Sequence, residues 1–451
     1  MILLFNGIVF GYNKSIDSVV IKNDKIFYIG EFNNIPNGEY NKKIDLKKKL
    51  LLPSFIDTHT HFSEYIKLKL QINFSKVKNI YEILTLINEN PEKIKGYGLK
   101  ISLFDKNKLA KVFKNITRKK VFTLASSDYH SYLITGIGLT DWPLKSDDFT
   151  QIKNNDLLEL YKNGITSIHE MAFTNADFYA YDNIGKKLEV CRHFPVEMLD
   201  EMINNNKKSY MGDENLKLGS LKLFYDGSIG SSTAFLYSDI LSKNKENKLK
   251  NIEKDIKKAL INDLSVSVHA IGDRAVDDIV EIFIKHKKLI KNFVRIEHAQ
   301  IIRDETIKKL EIIKDKVYLS MQPLHLREDT KILIKMELEN YSFRFNSLRD
   351  LTIGFSSDVP VVEFNPFKAI YYAVTHNLNK REAITAEEAI NNYTINAAKL
   401  SNSEDIKGSI EVGKKANLIL IDDYKKYDEN FWLNAKNYMT ILGGKIVYID
   451  F

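Results

Sequence analysis

Two histidines stand two residues apart in DTHTHF, residues 57–62, directly behind the apolar run LLLPSFI. Residues two apart in a strand share a face, so His59 and His61 can turn both imidazoles to one side, with Asp57 beside them. Neutral imidazoles suit zinc, iron or manganese. With ten histidines in 451 residues, chance alone produces an H-x-H about 0.2 times. The pair therefore gains meaning only from further donors elsewhere in the chain.

Four more apolar stretches supply them. SVSVHAIG offers His269, FVRIEHAQ offers His298, LTIGFSSD offers Asp358, and LGSLKLFYDG carries Lys222 inside an otherwise apolar run. Taken singly, a histidine at a strand end is more often a hydrogen-bonded structural residue, and a lysine in a strand marks an edge or a partnered charge. Asp358 alone reads equally well as a turn residue. Together they form a pattern, because each lies near the C-terminal end of its own expected strand. An ammonium has no lone pair, so Lys222 fits only if burial lowers its pKa. A neutral amine can take up CO₂ as a carbamate, whose two oxygens bridge two metals. Hydroxide generated between such metals is a nucleophile near neutral pH, and Asp358 would carry its proton to the leaving group.

Such donors need a scaffold that gathers strand ends. PSFIDTH, VFTLASSDYH, GITSIHEM, LGSLKLFYDG, SVSVHAIG, FVRIEHAQ, KVYLSMQ and LTIGFSSD are eight strand candidates. Amphipathic segments separate most of them, among them DRAVDDIVEIFIKHKKLIK with Ala275, Ile279, Ile282 and Phe283 at helical spacing. Repeated β-then-α units predict a parallel sheet. Eight of them predict an α/β fold, a distorted (β/α)₈ TIM barrel over residues 53–404 whose active face is the C-terminal one. Residues of about 64–120 read as an insertion after the first barrel strand. Residues 1–52 and 405–451 look alike, with short apolar runs and turn signals at Asn23–Asp24 and Gly443–Gly444. They predict one small β-sandwich built from both termini.

Composition limits the partners. The net charge of +7 comes from scattered lysines, as in KNKENKLKNIEKDIKKAL, without a basic stripe, so nucleic-acid binding is not expected. Cys191 is the one cysteine, which excludes an internal disulfide and a thiolate metal cluster. No run approaches the ~18 apolar residues of a membrane span, and MILLFNGIVF lacks signal-peptide features. The expectation is a cytoplasmic protein acting on a small molecule.

The ordered set of H-x-H, Lys, His, His and Asp resembles the amidohydrolase superfamily. LKLFYDGSIGSSTAFL, SVSVHAIGDRAVDDIV, RIEHAQI, SMQPLH, FSSDVPVVEFNPF, ITAEEAINNYTINAAK and GSIEVGKKANLILID are similar to its amidohydrolase-3 group, the YtcJ-like and N-substituted formamide deformylase-like proteins. The resemblance covers nearly the whole chain. It implies a binuclear site of His59, His61, Lys222 as a carboxylated lysine, His269, His298 and Asp358. Two zinc ions are the expected cofactors, with iron or manganese as alternatives. Asp358 is the implied catalytic residue in metal-dependent hydrolysis of an amide or cyclic amide C–N bond. The rival readings are a mononuclear aminohydrolase that deaminates a heterocycle and a non-catalytic binding protein of the same fold.

His130, in SSDYHSYLIT, and His325, in QPLH, are the candidate substrate contacts. Ser54 replaces the glycine of the family pattern, and Ser232 stands where that pattern carries arginine, which leaves the substrate open. A homodimer is expected by analogy alone. His169 is placed at the mouth, His193 in a loop-like CRHFP, His286 on a charged helix face and His376 after a helix. Arg274, Arg295 and Glu297 flank ligand positions and can orient imidazoles from behind.

Overall fold

The computed structural model describes residues 1–69, 71–93, 95–116, 122–126, 132–135, 137–140, 152–238 and 243–450. Its centre is an eight-stranded sheet of parallel neighbours in chain order. The strands are β1 (Phe55–Thr60), β2 (Ile165–Met171), β3 (Glu189–Pro195), β4 (Leu216–Phe224), β5 (Val266–Ala270), β6 (Val294–His298), β7 (Val317–Met321) and β8 (Thr352–Phe355). β8 returns to β1 through Thr58 Oγ1 donating to Phe355 O at 3.1 Å and Asp358 N donating to His59 O at 2.9 Å. The expected barrel is thus present and nearly closed.

Sheets covered on both faces bury every residue of a strand, and β1 and β2 are buried throughout. Helices supply the outer cover. Asp273–Lys285 lays Ala275, Val276, Ile279, Val280, Ile282 and Phe283 against the barrel, including all four positions expected from periodicity.

One barrel strand differs from the sequence expectation. Thr123–Ser126, within VFTLASSDYH, pairs in a separate five-stranded sheet with Gly138–Thr140, Tyr132–Ile134, Lys95–Leu99 and Ile72–Asn73. Glu189–Pro195 takes the vacant barrel place instead, which puts His193 in a strand and not a loop. The inserted sheet therefore runs past residue 120, to Thr140. It has its own core, in which Phe74, Leu109, Phe113, Phe122 and Leu124 are fully buried. Helices Ile80–Glu89 and Lys106–Asn115 flank it. Asn79 starts the first by accepting from Glu82 N at 3.0 Å, a preferred N-cap arrangement.

The termini form two packed sheets. One orders Lys25–Gly30, Ser18–Lys22, Ile2–Phe5 and Lys42–Asp45. The other joins Ile8–Val9 and Leu50–Pro53 to Leu418–Ile421, Met439–Leu442 and Lys445–Ile449, so both chain ends meet in it. The hairpin at residues 443–444 holds φ of 51° and 72°, which a type I′ turn needs at both positions. A Cβ on Gly444 would also meet Asn23 O at 2.0 Å. No helix among the described residues is long and apolar enough to cross a membrane.

Candidate metal centre

Every donor inferred for the metals sits at the C-terminal end of its barrel strand or just beyond. His59 lies in β1 and His61 immediately after it, Lys222 in β4, His269 in β5, His298 at the end of β6, and Asp358 three residues past β8. All are buried. Asp358 Oδ1 lies 3.3 Å from His59 Nε2 and 3.6 Å from His61 Nε2. His325, the first residue of helix His325–Lys335 after β7, brings Nε2 to 3.8 Å from the other oxygen of Asp358. Two three-residue sets result, His59–His61–Asp358 and His298–His325–Asp358, each with donor atoms within 4.8 Å of one another. Asp358 belongs to both.

The imidazoles are held as neutral donors. Burial, aided by the Lys222 charge, pushes His61 down to about 3 and His59 well below the usual value. Burial lowers His325 to about 4, and burial with the neighbouring His269 lowers His298 strongly. Tautomers are fixed from behind. His59 Nδ1 meets Glu297 Oε2 at 2.6 Å and His298 Nδ1 meets Gln322 Oε1 at 2.8 Å. With protons on those Nδ1 atoms, both Nε2 lone pairs are left for the mouth. His61 stacks on Phe173 with ring centroids 4.0 Å apart.

Behind Glu297 lies Arg295, fully buried, whose Nε is 2.8 Å from Glu297 Oε1. Its Nη2 donates to Thr58 O at 2.7 Å and its Nη1 reaches His169 Nδ1 at 2.9 Å and His193 Nε2 at 3.2 Å. His169 is therefore part of β2 beneath the site, with no exposed surface, and does not line the mouth as expected. Arg295 and Glu297 orient an imidazole as inferred. Arg274 instead pairs with Asp278 along its own helix at 3.4 Å.

Asp57 does not steady an imidazole. Its Oδ1 accepts from Ser357 N at 3.0 Å and His59 N at 3.3 Å, tying β8's exit to β1. Burial raises its pKa to about 7. The backbone there is strained, with φ of 59° at Asp358 and 73° at His298. Non-glycine residues hold such angles only where their surroundings over-determine them. For Asp358 those surroundings include the bonds from Asp358 N to His59 O and from His61 N to Val359 O at 2.8 Å.

Sequence reading missed two further mouth residues. Asp226 accepts from Ile271 N, Gly272 N and Phe235 N at 3.0, 2.8 and 3.1 Å and joins the exits of β4 and β5. Glu170 accepts from Phe62 N at 2.9 Å and Tyr181 Oη at 2.7 Å, and also bonds Ser63, at the start of helix Phe62–Leu68. A carboxylate is favoured at that helix end. Neither residue carries a local pattern in the sequence that would announce it.

The residues fit divalent cations. His59 Nε2, Lys222 Nζ and His325 Nε2 are buried and without hydrogen-bond partners among the described residues. Leaving such atoms unpaired costs about 1–3 kcal/mol each, a cost that coordination removes. Lys222 Nζ rests 4.7 Å from the Phe224 ring centre, and burial lowers its pKa while the same burial raises that of Asp358. His269 has its Nε2 3.0 Å from Gly227 O, a bond that, like those behind His59 and His298, fixes one tautomer and does not take the ring's other nitrogen out of the donor set.

Above the donors opens a cleft of about 880 Å³. His269, His298, His325 and Asp358 form its floor, and Ser228–Ser231 and Asp358–Asn365 form part of its walls. Asn73, Tyr97, Lys100 and Ile101 of the inserted sheet and its flanks form another. Lys100 reaches Glu328 at 2.8 Å, joining that wall to the helix that starts with His325. Ser232 is exposed in a turn, and His130 lies outside the described residues.

The chain is similar to known proteins along its length. It is 23% identical to Protein LONG AFTER FAR-RED 3 of Arabidopsis thaliana, over 99% of this chain and 91% of that one. It is 24% identical to the N-substituted formamide deformylase of Arthrobacter pascens, over 66% of this chain and 54% of the relative. A solved structure, an uncharacterized metal-dependent hydrolase from Pyrococcus furiosus, superposes with a TM-score of 0.74 at 23% identity, covering 94% of this chain and 99% of that one. The model of the amidohydrolase family matches residues 124–448, well over half of the sequence, and the chain belongs to that family of hydrolases.

Proposed function

We propose that this hydrolase cleaves an amide or cyclic amide C–N bond of a small molecule at a binuclear metal site. One observation carries the reading: Asp358 presents one carboxylate to two separate sets of buried, neutral imidazoles. His59, His61, His298 and Asp358 would hold the cations, with His269 and a carboxylated Lys222 completing the set. Bound there, two divalent ions supply an acidified water and polarise the substrate carbonyl.

The protein's own groups do the rest. Glu297 and Gln322 keep His59 and His298 in one tautomer each. Asp358, whose burial raises its proton affinity, takes a proton from the attacking water and returns it to the departing nitrogen. Burial lowers the Lys222 pKa to about 8, and the fraction present as neutral amine can add CO₂ at Nζ with release of one proton. The cleft walls exclude bulk water and choose the substrate, and His130 is the candidate for polarising its carbonyl. Similarity to a formamide deformylase supports amide-type chemistry.

Metal content per chain, on protein prepared without chelator and with zinc and bicarbonate supplied, tests the reading. About two ions per chain is the expected result, followed by release of carboxylate and amine from members of an amide library. One ion together with ammonia release from heterocyclic amines would replace it with a mononuclear aminohydrolase. No bound ion would overturn it.

A further inference from the structure

The donor set inferred from sequence assigns His325 to substrate contact and His269 to a metal. The geometry points to a further role for the first of these, and we propose that His325 is a metal ligand that completes the second cation seat with His298 and Asp358. This rests on the binuclear reading above and sharpens it.

Three observations meet at this residue. His325 Nε2 is buried without a hydrogen-bond partner among the described residues and lies 3.8 Å from Asp358 Oδ2, the oxygen turned away from His59 and His61. Its donor atom falls within 4.8 Å of those of His298 and Asp358, close enough for one ion to gather all three at about 2.0–2.2 Å each after small side-chain shifts. Its ring is almost parallel to that of His298, at 12° with centroids 6.3 Å apart, so the two imidazoles flank a common space.

The position of His325 in the fold explains how a residue outside the strand-end pattern reaches the site. β7 ends at Met321, and Gln322 follows, accepting from His298. The chain then turns through Pro323 and Leu324, with His325 N donating to Gln322 O at 3.1 Å. The same turn thus delivers Gln322 behind His298 and His325 in front of it. A nitrogen in that position that only contacted substrate would depend on cleft water whenever substrate was absent. As a ligand it is satisfied by the resident ion.

Equilibrium dialysis against Zn²⁺ alone and Co²⁺ alone, with elemental analysis and the visible spectrum of the Co²⁺ form, tests this. The full chain is expected to take up two ions. His325→Ala should keep the ion held by His59, His61 and Asp358 and bind the other at least about 100-fold more weakly, with loss of that site's share of the Co²⁺ bands. His325→Gly with added imidazole should regain the second ion. His325→Gln, closer in volume, serves as the second variant if the smaller residues unfold the chain, and it should show the same weakening. Two tightly held ions with an unchanged spectrum in a folded His325 variant would overturn the proposal and leave the binuclear reading standing. No ion in the unsubstituted chain would instead remove that reading, and this proposal with it.

Discussion

The two ends of the barrel bury charge in opposite ways. At the base, Glu189 opens β3 with its carboxylate fully inside the protein. Lys407 lies 2.8 Å from one oxygen, and Lys415 and Asn417 lie 2.9 and 2.8 Å from the other. Lys407 also donates to Ser167 at 2.8 Å. Burial alone would raise the Glu189 pKa, but the two lysines hold it below the usual range. At the mouth, Asp358 meets histidines driven neutral and a lysine without a hydrogen-bond partner among the described residues, and its pKa is raised. A buried charge that the chain satisfies by itself is structural. Donors left unsatisfied are arranged for something the chain does not contain.

The largest effect expected from breaking this contrast is catalytic. Asp358→Asn should lower kcat/KM by about 10³-fold or more, with the unfolding midpoint of the metal-free protein in denaturant unchanged or raised, since a buried carboxylate whose proton affinity is raised is removed. A large loss of stability with activity kept would place Asp358 with Glu189 as a structural group. The mirror experiment is Glu189→Ala, which strands two ammonium groups in the interior and should cost about 3–5 kcal/mol of stability. Ion content and activity per folded molecule should stay at the parent values, and a fall in either would show that base and mouth are coupled.

Between these extremes stands Glu297, which serves the site from within the protein. Glu297→Gln should weaken ion binding by about 10–100-fold, as measured by competition with a chelating dye, with activity partly regained in excess metal. The smallest effect is in pH. A carboxylate with a depressed folded pKa contributes stability above its unfolded value, about 4.3, and that stability is lost as pH falls through the lower folded value. Acid unfolding of the parent should therefore steepen below pH of about 4, and Glu189→Gln should flatten that limb.

How far the sequence revealed the molecule depended on where its polar residues point. β1 was legible because an apolar run leads into alternating histidines, so period two and chemistry coincide. Glu189–Pro195 was not, because EVCRHFP mixes charge, histidine and proline. The structure shows why that mixture is stable in a barrel: His193, His169, Arg295 and Glu297 form a polar layer inside it, each answering another. The stretch VFTLA is apolar enough to pass for a barrel strand, but its Phe122 and Leu124 are fully buried in the core of the inserted sheet. Glu297 was legible as a residue able to orient an imidazole, but which imidazole it serves was not. Asp57 is the neighbour of His59 in sequence, but the bond comes from Glu297, 238 positions away, and only the closed barrel brings them together.

The inserted sheet has a consequence for how this catalyst can change. It is packed around its own phenylalanines and touches the cleft through a few side chains, while the cation donors hang from the barrel alone. One wall of the cleft and the donors on its floor thus come from parts with separate buried cores, with Lys100 and Glu328 as one seam. Replacing Tyr97 or Ile101 should change the shape of that wall without repacking a single donor. The molecule is built as a fixed reactor behind an exchangeable front door.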